Sequence, residues 1–241
     1  ANLYGTPAKL DELAEICAAH GAVLIEDAAE SLGASLKGRM TGTFGRYNIL
    51  SFNGNKIITT SGGGMLLSDD EDAVKKARFW ATQAREPFPW YEHREIGYNY
   101  RMSNIVAGIG RGQLFHLGEH MEAKERIYRN YERGLRNLPV RMNPYLPDSH
   151  PNFWLSCMTV EAGQKVAPED IRLALEAENI ESRPIWKPMH LQPVFRDRDF
   201  IGAGDGVGED IFARGLCLPS DIKMTEEQQE KVISVIRGLF T

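Results

Sequence analysis

Ala22-Val23-Leu24-Ile25-Glu26-Asp27 is a run of four apolar residues that ends in two acidic ones. Because the apolar run is unbroken rather than alternating, it is typical of a parallel strand that is covered on both faces. A helix is predicted before it, with Thr6 as the cap, Pro7 at the first helical position and an end at Gly21. This order of elements predicts an α/β fold with Asp27 at the carboxyl end of a strand.

Two more short strands follow across a glycine-rich stretch. One is predicted around Ile49–Phe52, and the other at Met65–Leu67 after three consecutive glycines. In open α/β sheets, ligands bind outside the carboxyl ends of the strands. Asp27 and the turn Ser51–Lys56 are therefore expected to lie near one another if their strands are neighbours.

The second half of the chain predicts a separate, smaller lobe. The pattern changes after Pro139, where a connection rich in proline and polar residues leads into a new strand. We therefore predict two domains, residues 1–115 and residues 116–241. The other predicted elements are helices at 71–82, at 105–121 after a Ser103 cap, at 168–177 and at 225–239, and strands at 153–160 and 216–218.

Composition and charge narrow the classes of partner. The 241 residues include 28 basic and 33 acidic side chains, so a net charge of −5 provides no general attraction for nucleic acid or anionic lipid. No apolar run approaches the length of a membrane span, and the chain lacks a basic-then-apolar leader. Small molecules or proteins are the expected partners. The start at Ala1 instead of methionine indicates a processed, trimmed or incomplete chain.

Cysteine and histidine usage indicates neither disulfides nor a metal site. The three cysteines are odd in number and widely spaced, which fits neither a secreted disulfide framework nor a zinc site and favours a reducing cytoplasm. The histidines do not form a compact ligand set with carboxylates at zinc spacing. We therefore predict no metal.

Lys56 stands in a polar turn, Ser51-Phe52-Asn53-Gly54-Asn55-Lys56, at the end of a short apolar run. An amine attacks a carbonyl through a free lone pair, which burial beside a cofactor can supply. A pyridoxal phosphate site needs such an amine, a carboxylate at the pyridine nitrogen and donors for phosphate. Lys56, Asp27 and the Ser51 hydroxyl with the Asn53 amide meet these needs. Taken singly, Lys56 is also typical of a surface charge, Asp27 of a helix cap, and Ser51 of a serine bonded to local backbone.

Five segments of the chain form a recognisable set. They are Ile25-Glu26-Asp27-Ala28-Ala29-Glu30-Ser31, Ser51-Phe52-Asn53-Gly54-Asn55-Lys56, Thr60-Ser61-Gly62-Gly63-Gly64, Gly97-Tyr98-Asn99-Tyr100-Arg101 and Arg183-Pro184-Ile185-Trp186-Lys187-Pro188-Met189-His190. Together they resemble the DegT/DnrJ/EryC1/StrS family of sugar aminotransferases. The resemblance implies part of an aspartate aminotransferase-like, fold type I large domain that binds pyridoxal phosphate, followed by a smaller C-terminal α+β domain. It covers nearly the whole chain, whereas the family's N-terminal part, with a phosphate-binding turn, has no counterpart here.

The resemblance implies a role for each matching residue. Lys56 would form the internal aldimine, Asp27 would meet the pyridine nitrogen and Ser51 would hold the phosphate. Asn99 would reach the phosphate of the other subunit, which implies a homodimer with shared active sites. Glu30 departs from the family pattern, since many relatives carry glutamine there, near the cofactor's phenolic oxygen.

The last matching segment concerns the substrate. It is similar to the segment in members that make 4-amino sugars of the bacillosamine type, which implies a UDP-linked 4-keto-6-deoxy-N-acetylhexosamine as acceptor and glutamate as donor. His190 and Trp186 match a stretch that approaches the sugar nucleotide in relatives, or they form a packed turn between lobes. Arg101 is expected to contact substrate phosphate or to form a structural ion pair.

Two other functions stay open at this point. Sugar dehydratases of the same family replace the lysine by histidine, so Lys56 argues against that activity. A cofactor-free structural or interaction module, formed by a truncated or degenerate relative, is the alternative of a different class. An absorbance band from bound cofactor, together with attachment of that cofactor to Lys56 on borohydride reduction, would favour the aminotransferase. A colourless dimer would favour the module.

Overall fold

The computed structural model describes every residue from Ala1 to Thr241. The chain forms two compact units: unit 1 comprises residues 1–122 and 145–154, and unit 2 comprises residues 123–144 and 155–241. The first unit therefore includes a short segment that returns to it from the second half of the chain. The predicted division into residues 1–115 and 116–241 concerns the domains of the whole protein, and it stays a prediction.

Ten strands and seven α-helices make up the regular structure. The strands are β1 (Ile25–Asp27), β2 (Ser35–Leu36), β3 (Arg39–Met40), β4 (Tyr47–Ser51), β5 (Gly64–Leu67), β6 (Val140–Met142), β7 (Ser149–His150), β8 (Ser156–Val160), β9 (Arg183–Pro184) and β10 (Gly215–Leu218). The helices are α1 (Leu10–Ala19), α2 (Glu71–Ala81), α3 (Asn104–Leu114), α4 (Leu117–Gly134), α5 (Pro168–Ala177), α6 (Val207–Arg214) and α7 (Glu226–Leu239). None of the helices combines the length and the apolar character that crossing a lipid bilayer requires.

The main sheet of unit 1 has the order β1-β4-β5. Strands β1 and β4 run parallel with Asp27 opposite Ile49, whereas β5 is antiparallel to β4. This confirms that the strands ending at Asp27 and Ser51 are neighbours. Gly45 allows the approach between them, since a Cβ atom there would lie 2.9 Å from the backbone nitrogen of Glu26 and 2.8 Å from the carbonyl oxygen of Tyr47.

A second small sheet, β3-β2-β7, belongs to the same unit. Leu36 pairs with Ser149, and Ser35 pairs with His150. Through this pairing the segment 149–154 lies against residues from the first third of the chain. Asn152 and Trp154, which follow β7 directly, are thereby brought to the candidate site.

The first strand is shorter and more exposed than the sequence predicts. It begins at Ile25 instead of Ala22, and the Ile25 side chain is 62% exposed. The prediction of cover on both faces is wrong for this chain, because Glu26 is buried on one face of β1 whereas Ile25 and Asp27 are exposed on the other. The predicted helix start at Pro7 is also wrong, because α1 begins at Leu10. The residues before it form a non-helical turn, in which the Ala8 amide donates a hydrogen bond to the Asn2 side chain.

Helices with local capping signals lie where the sequence predicts them. Ser103 accepts a hydrogen bond from the amide of Val106, and Thr225 caps α7 with Gln228 in a reciprocal capping box. The long helical region predicted after Ser103 is two helices, α3 and α4. The strand predicted from Phe153 begins at Ser156, because Phe153 has a left-handed backbone with φ of 53°.

Unit 2 is built on an antiparallel sheet of order β6-β8-β10-β9. Alternate residues of β8 and β10 face one apolar core, to which α4, α5 and α7 contribute. The fully buried members from the helices include Tyr131, Ile171, Leu175 and Ile236. Most of the stabilisation of this unit therefore comes from helices packed on one face of a sheet.

Candidate active site

Lys56 is held in a largely buried position, although it stands in a polar turn. Its side chain is 12% exposed, and its Nζ atom lies 3.8 Å from Oε1 of Glu30. The same Nζ lies 4.4 Å from the centroid of the Trp154 ring, in a cation–π contact. An amine placed between a carboxyl group and an aromatic face is shielded from bulk water.

Backbone and side-chain bonds close the loop that carries Lys56. Its amide donates to the carbonyl of Asn53 (3.1 Å), and the amide of Thr60 donates to the carbonyl of Phe52 (3.0 Å). The indole Nε1 of Trp154 donates to the carbonyl of Asn55 (2.7 Å). Trp154 therefore fixes the residue before the lysine and covers the amine with its ring.

Glu30 faces the lysine from the segment after β1. Its Oε2 accepts a hydrogen bond of 2.7 Å from the amide of Tyr4. Burial raises the pKa of Glu30; the Tyr4 amide and the Lys56 charge oppose this rise, whereas the Asp27 charge adds to it. Because both Lys56 and Asp27 act on this carboxyl group, the three side chains form one electrostatic cluster.

Asp27 ends strand β1, as the sequence predicts, and its side chain is exposed. Its Oδ1 accepts a hydrogen bond of 3.0 Å from the amide of Ala29, which fixes the carboxylate at the strand end. Ser51 ends the neighbouring strand β4, so parallel pairing brings both residues to the same edge of the sheet. The Ser51 hydroxyl accepts from the Asn53 amide at 3.3 Å, so the local backbone bond considered for this serine is present.

Glu26 has a structural environment distinct from those of the other two acids. Its side chain is 1% exposed and accepts three hydrogen bonds. The donors are Nδ2 of Asn2 (2.9 Å) and the amides of Gly42 (2.7 Å) and Phe44 (2.9 Å). Because its three donors come from separate segments, this carboxylate links the start of the chain and the glycine-rich loop to β1.

Asn99 and Arg101 lie on the exposed segment that follows α2. The amides of Tyr98 and Tyr100 donate to the carbonyls of Trp80 (2.7 Å) and Ala81 (3.0 Å), so the end of α2 holds this segment. The Asn99 and Arg101 side chains are exposed. Arg101 forms no ion pair within this chain, and both roles considered for it stay predictions.

His190 and Trp186 belong to unit 2. The Nε2 atom of His190 lies 2.9 Å from Oε1 of Glu209, and its ring stacks on Phe200 with centroids 3.8 Å apart. The Trp186 ring is 47% exposed. His190 is thus oriented by two neighbours, and about half of the Trp186 surface is exposed.

Sequence reasoning missed the residues that support the cluster from the second half of the chain. Nδ2 of Asn152 donates to the carbonyls of Glu30 (2.9 Å) and Leu32 (3.0 Å), and Oδ1 of Asn152 accepts from the amide of Trp154 (3.0 Å). Trp154 and Asn55 are 99 residues apart in the chain. No local pattern connects such distant positions, so the linear sequence carried no signal for them.

No group of three or more His, Cys, Asp or Glu side chains is placed to hold a metal ion.

Known proteins match this chain over nearly its whole length. The model of the DegT/DnrJ/EryC1/StrS aminotransferase family matches residues 1–237. EpsN of Bacillus subtilis, provisionally described as a pyridoxal phosphate-dependent aminotransferase, is 52% identical over 99% of this chain and 62% of its own length. GDP-perosamine synthase of Caulobacter vibrioides is 36% identical over 98% of this chain and 63% of its own length.

Solved structures of the same kind share the fold. A DegT DnrJ EryC1 StrS aminotransferase from Brucella abortus matches with a TM-score of 0.88 at 28% identity, over 99% of this chain and 63% of that one. DesV of S. venezuelae, solved with a ketimine intermediate, matches with a TM-score of 0.86 at 26% identity and the same coverage. The chain spans less than two thirds of each of these proteins, so it has part of a fold type I structure. It belongs to the DegT/DnrJ/EryC1/StrS aminotransferase family.

Proposed function

We propose that this protein is a pyridoxal phosphate-dependent aminotransferase that moves an amino group from glutamate to a keto-sugar nucleotide, with Lys56 as the catalytic residue. The observation that carries the proposal is that the largely buried Lys56 amine lies 3.8 Å from the Glu30 carboxyl group, while Asp27 and Ser51 end two neighbouring parallel strands. An amine in such a place is uncommon, since lysines are mostly solvated surface charges.

The chemistry of these side chains fits the cofactor. Pyridoxal phosphate requires an amine for its aldehyde, an acid for its ring nitrogen and donors for its phosphate. Lys56 provides the amine, Asp27 the acid and Ser51 a hydroxyl donor, and the parallel pairing of β1 with β4 brings Asp27 and Ser51 to one edge. When bound, the cofactor supplies an electrophilic carbonyl carbon and a ring that accepts electrons.

Four side chains would each have a defined task. Lys56 would hold the cofactor through its Nζ atom, and as a free amine it would act as the base and acid that moves a proton between two carbon atoms. The Asp27 carboxylate would keep the ring nitrogen protonated, because an adjacent negative charge favours the protonated form. The Ser51 hydroxyl would serve as a donor for phosphate. Trp154 keeps water from Nζ and keeps the loop in place through Asn55.

Glu30 can replace glutamine at its position because of its burial. Since burial raises the pKa of Glu30, its carboxyl group takes up a proton more readily than an ordinary glutamic acid does. A protonated carboxyl group donates a hydrogen bond, as a glutamine amide does. The departure at Glu30 is therefore compatible with a donor contact to the phenolic oxygen.

The finer assignments concern the substrate and the assembly. The segment that ends at His190 supports a UDP-linked 4-keto-6-deoxy-N-acetylhexosamine as acceptor, with His190 and Trp186 against the sugar nucleotide. Arg101 has no acidic partner in the chain and is assigned to substrate phosphate. Asn99 is exposed and is assigned to the cofactor phosphate in the second subunit of a homodimer. We propose a cytoplasmic location, which the small number and wide spacing of the cysteines support.

Borohydride reduction tests the first step. The protein is incubated with pyridoxal phosphate and reduced, and the modified lysine is located by peptide mass spectrometry. We expect the label on Lys56 and its loss in Lys56→Arg. Lys37→Arg is the matched control, since Lys37 pairs with Asp11 on the surface and should not affect labelling.

Amino transfer tests the reaction itself. Full-length protein with Lys56→Ala is compared with the native protein in the conversion of a UDP-linked 4-keto sugar, with glutamate as donor. Undiminished transfer by Lys56→Ala would contradict the proposal. Absence of any lysine label in the native protein would instead favour the cofactor-free module.

A further inference from the structure

Unit 2 contains a pair of cysteines that the proposed reaction does not use. Cys157 of β8 and Cys217 of β10 lie directly opposite one another in the antiparallel pairing of these strands. Their Sγ atoms are 3.5 Å apart, and the two residues are 2% and 7% exposed, respectively. The two thiols are thus in contact and mostly shielded from solvent.

The backbone hydrogen bonds show which kind of strand pair the cysteines form. The amide of Cys157 donates to Oδ1 of Asn143 (3.1 Å), and its carbonyl accepts from the amide of Asn143 (2.8 Å). Both groups therefore point away from β10, and Cys157 faces Cys217 as a non-hydrogen-bonded pair. In such pairs the Cα atoms are about 4.5 Å apart and the side chains are at their closest. This separation is at the short end of the range that disulfides span, roughly 4.4–6.8 Å.

The thiols do not belong to the core of unit 2. Leu216 and Leu218, on either side of Cys217, are core members, and so is Met158 beside Cys157. Because successive side chains of a strand point to opposite faces, both thiols project from the face opposite the core. A bond between them can form without repacking the apolar side chains around the helices.

We propose that Cys157 and Cys217 are a two-electron redox site that a peroxide oxidises to a disulfide. In the first step the sulfur of one thiol attacks a peroxide oxygen, an S–O bond forms, the O–O bond breaks and water leaves. In the second step the other thiol attacks that sulfur, the S–S bond forms, the S–O bond breaks and a second water leaves. The two thiols lose two electrons and two protons, and hydrogen peroxide is reduced to two waters.

The strand order decides which thiol reacts first. Cys217 is the more exposed of the two, and its strand has β9, a strand of two residues, as its other neighbour. Strand β8 has the three-residue β6 as its other neighbour, so β10 is the less firmly paired of these two inner strands and opens locally more readily. Cys217 is therefore the attacking thiol, and Cys157 is the resolving thiol. This site is independent of the Lys56 cluster.

The test uses Cys17→Ser, which leaves the pair as the only thiols of the chain. The folded protein is treated with hydrogen peroxide, quenched, denatured and alkylated, and its mass is measured. We expect the loss of two hydrogen atoms, no alkylation and one cross-linked peptide pair that a reductant separates. Alkylation of both cysteines, added oxygen atoms, or a disulfide between two chains would each overturn the proposal.

Single variants test the order of reaction. With Cys157→Ala, the remaining Cys217 should be trapped by dimedone as a sulfenic acid. With Cys217→Ala, the remaining Cys157 should be trapped at least severalfold more slowly. Equal trapping of the two, in variants whose circular dichroism matches the native protein, would overturn the assignment of Cys217 as the attacking thiol.

Discussion

Glu26→Gln changes one atom of a buried carboxyl group and should destabilise unit 1. Oε1 of Glu26 accepts hydrogen bonds from Nδ2 of Asn2 and from the amide of Gly42, and Oε2 accepts from the amide of Phe44. Glutamine has one acceptor oxygen and an NH₂ group that only donates. In the better of its two orientations, glutamine keeps the first two bonds and turns its NH₂ group toward the Phe44 amide.

The magnitude follows from this count of hydrogen bonds. A buried amide left without an acceptor costs about 1–3 kcal/mol, and a bond to a charged acceptor contributes about 1 kcal/mol more than a bond to a neutral one. Two such bonds become neutral in the variant. Removing the charge from a 1% exposed position returns part of this energy. We therefore expect a net loss of roughly 2–4 kcal/mol in the free energy of unfolding.

Urea unfolding with hydrogen exchange measures the effect where it occurs. Peptides that cover β1 and β4 report unit 1, and peptides that cover β8 and β10 report unit 2. The urea midpoint of the unit 1 peptides should fall by about 1–2 M, given slopes of about 1–3 kcal/mol per molar. The unit 2 peptides should change less. A unit 1 midpoint equal to or above that of the native protein would refute the three-donor account of Glu26.

Glu30→Gln should stabilise the protein, in contrast to Glu26→Gln. Because burial raises the pKa of Glu30 above its ordinary 4.5, the ionised form costs free energy in the folded state at neutral pH, and its removal should raise the urea midpoint there. The gain should disappear as the pH falls below about 4, where both states are protonated; a pH-independent difference would contradict this cause. Burial lowers the pKa of Lys124 to about 8, so the folded state releases a proton that the unfolded state keeps up to 10.5. Stability should rise by up to about 3 kcal/mol between these pH values in the native protein relative to Lys124→Met, and equal slopes in urea titrations would exclude it. Trp154→Phe keeps a ring near Lys56 but removes the donor to Asn55, so hydrogen exchange of residues 52–60 should become faster; unchanged exchange would show that the indole bond does not hold the loop.

Elements with local signals were predicted well. Helices α2, α5 and α7 lie within a residue of the predicted bounds, because a capping side chain or a proline at the first turn acts on neighbouring backbone groups. The strand from Ala22 and the helix from Pro7 were predicted less well. Both depend on tertiary packing, since one face of β1 is exposed at Ile25 and the Asn2 side chain accepts a hydrogen bond from the Ala8 amide.

The amino-acid sequence by itself determined the family and the strand-end position of Asp27, and it predicts Lys56 as the amine, because these follow from residue type and local order. Only the tertiary structure decided what surrounds that amine. Glu30 approaches Lys56 from the segment after β1, and Trp154 reaches its loop from 99 residues away through the pairing of β2 with β7. Contacts over such separations depend on how strands pair and pack, and no local pattern of residue types encodes them.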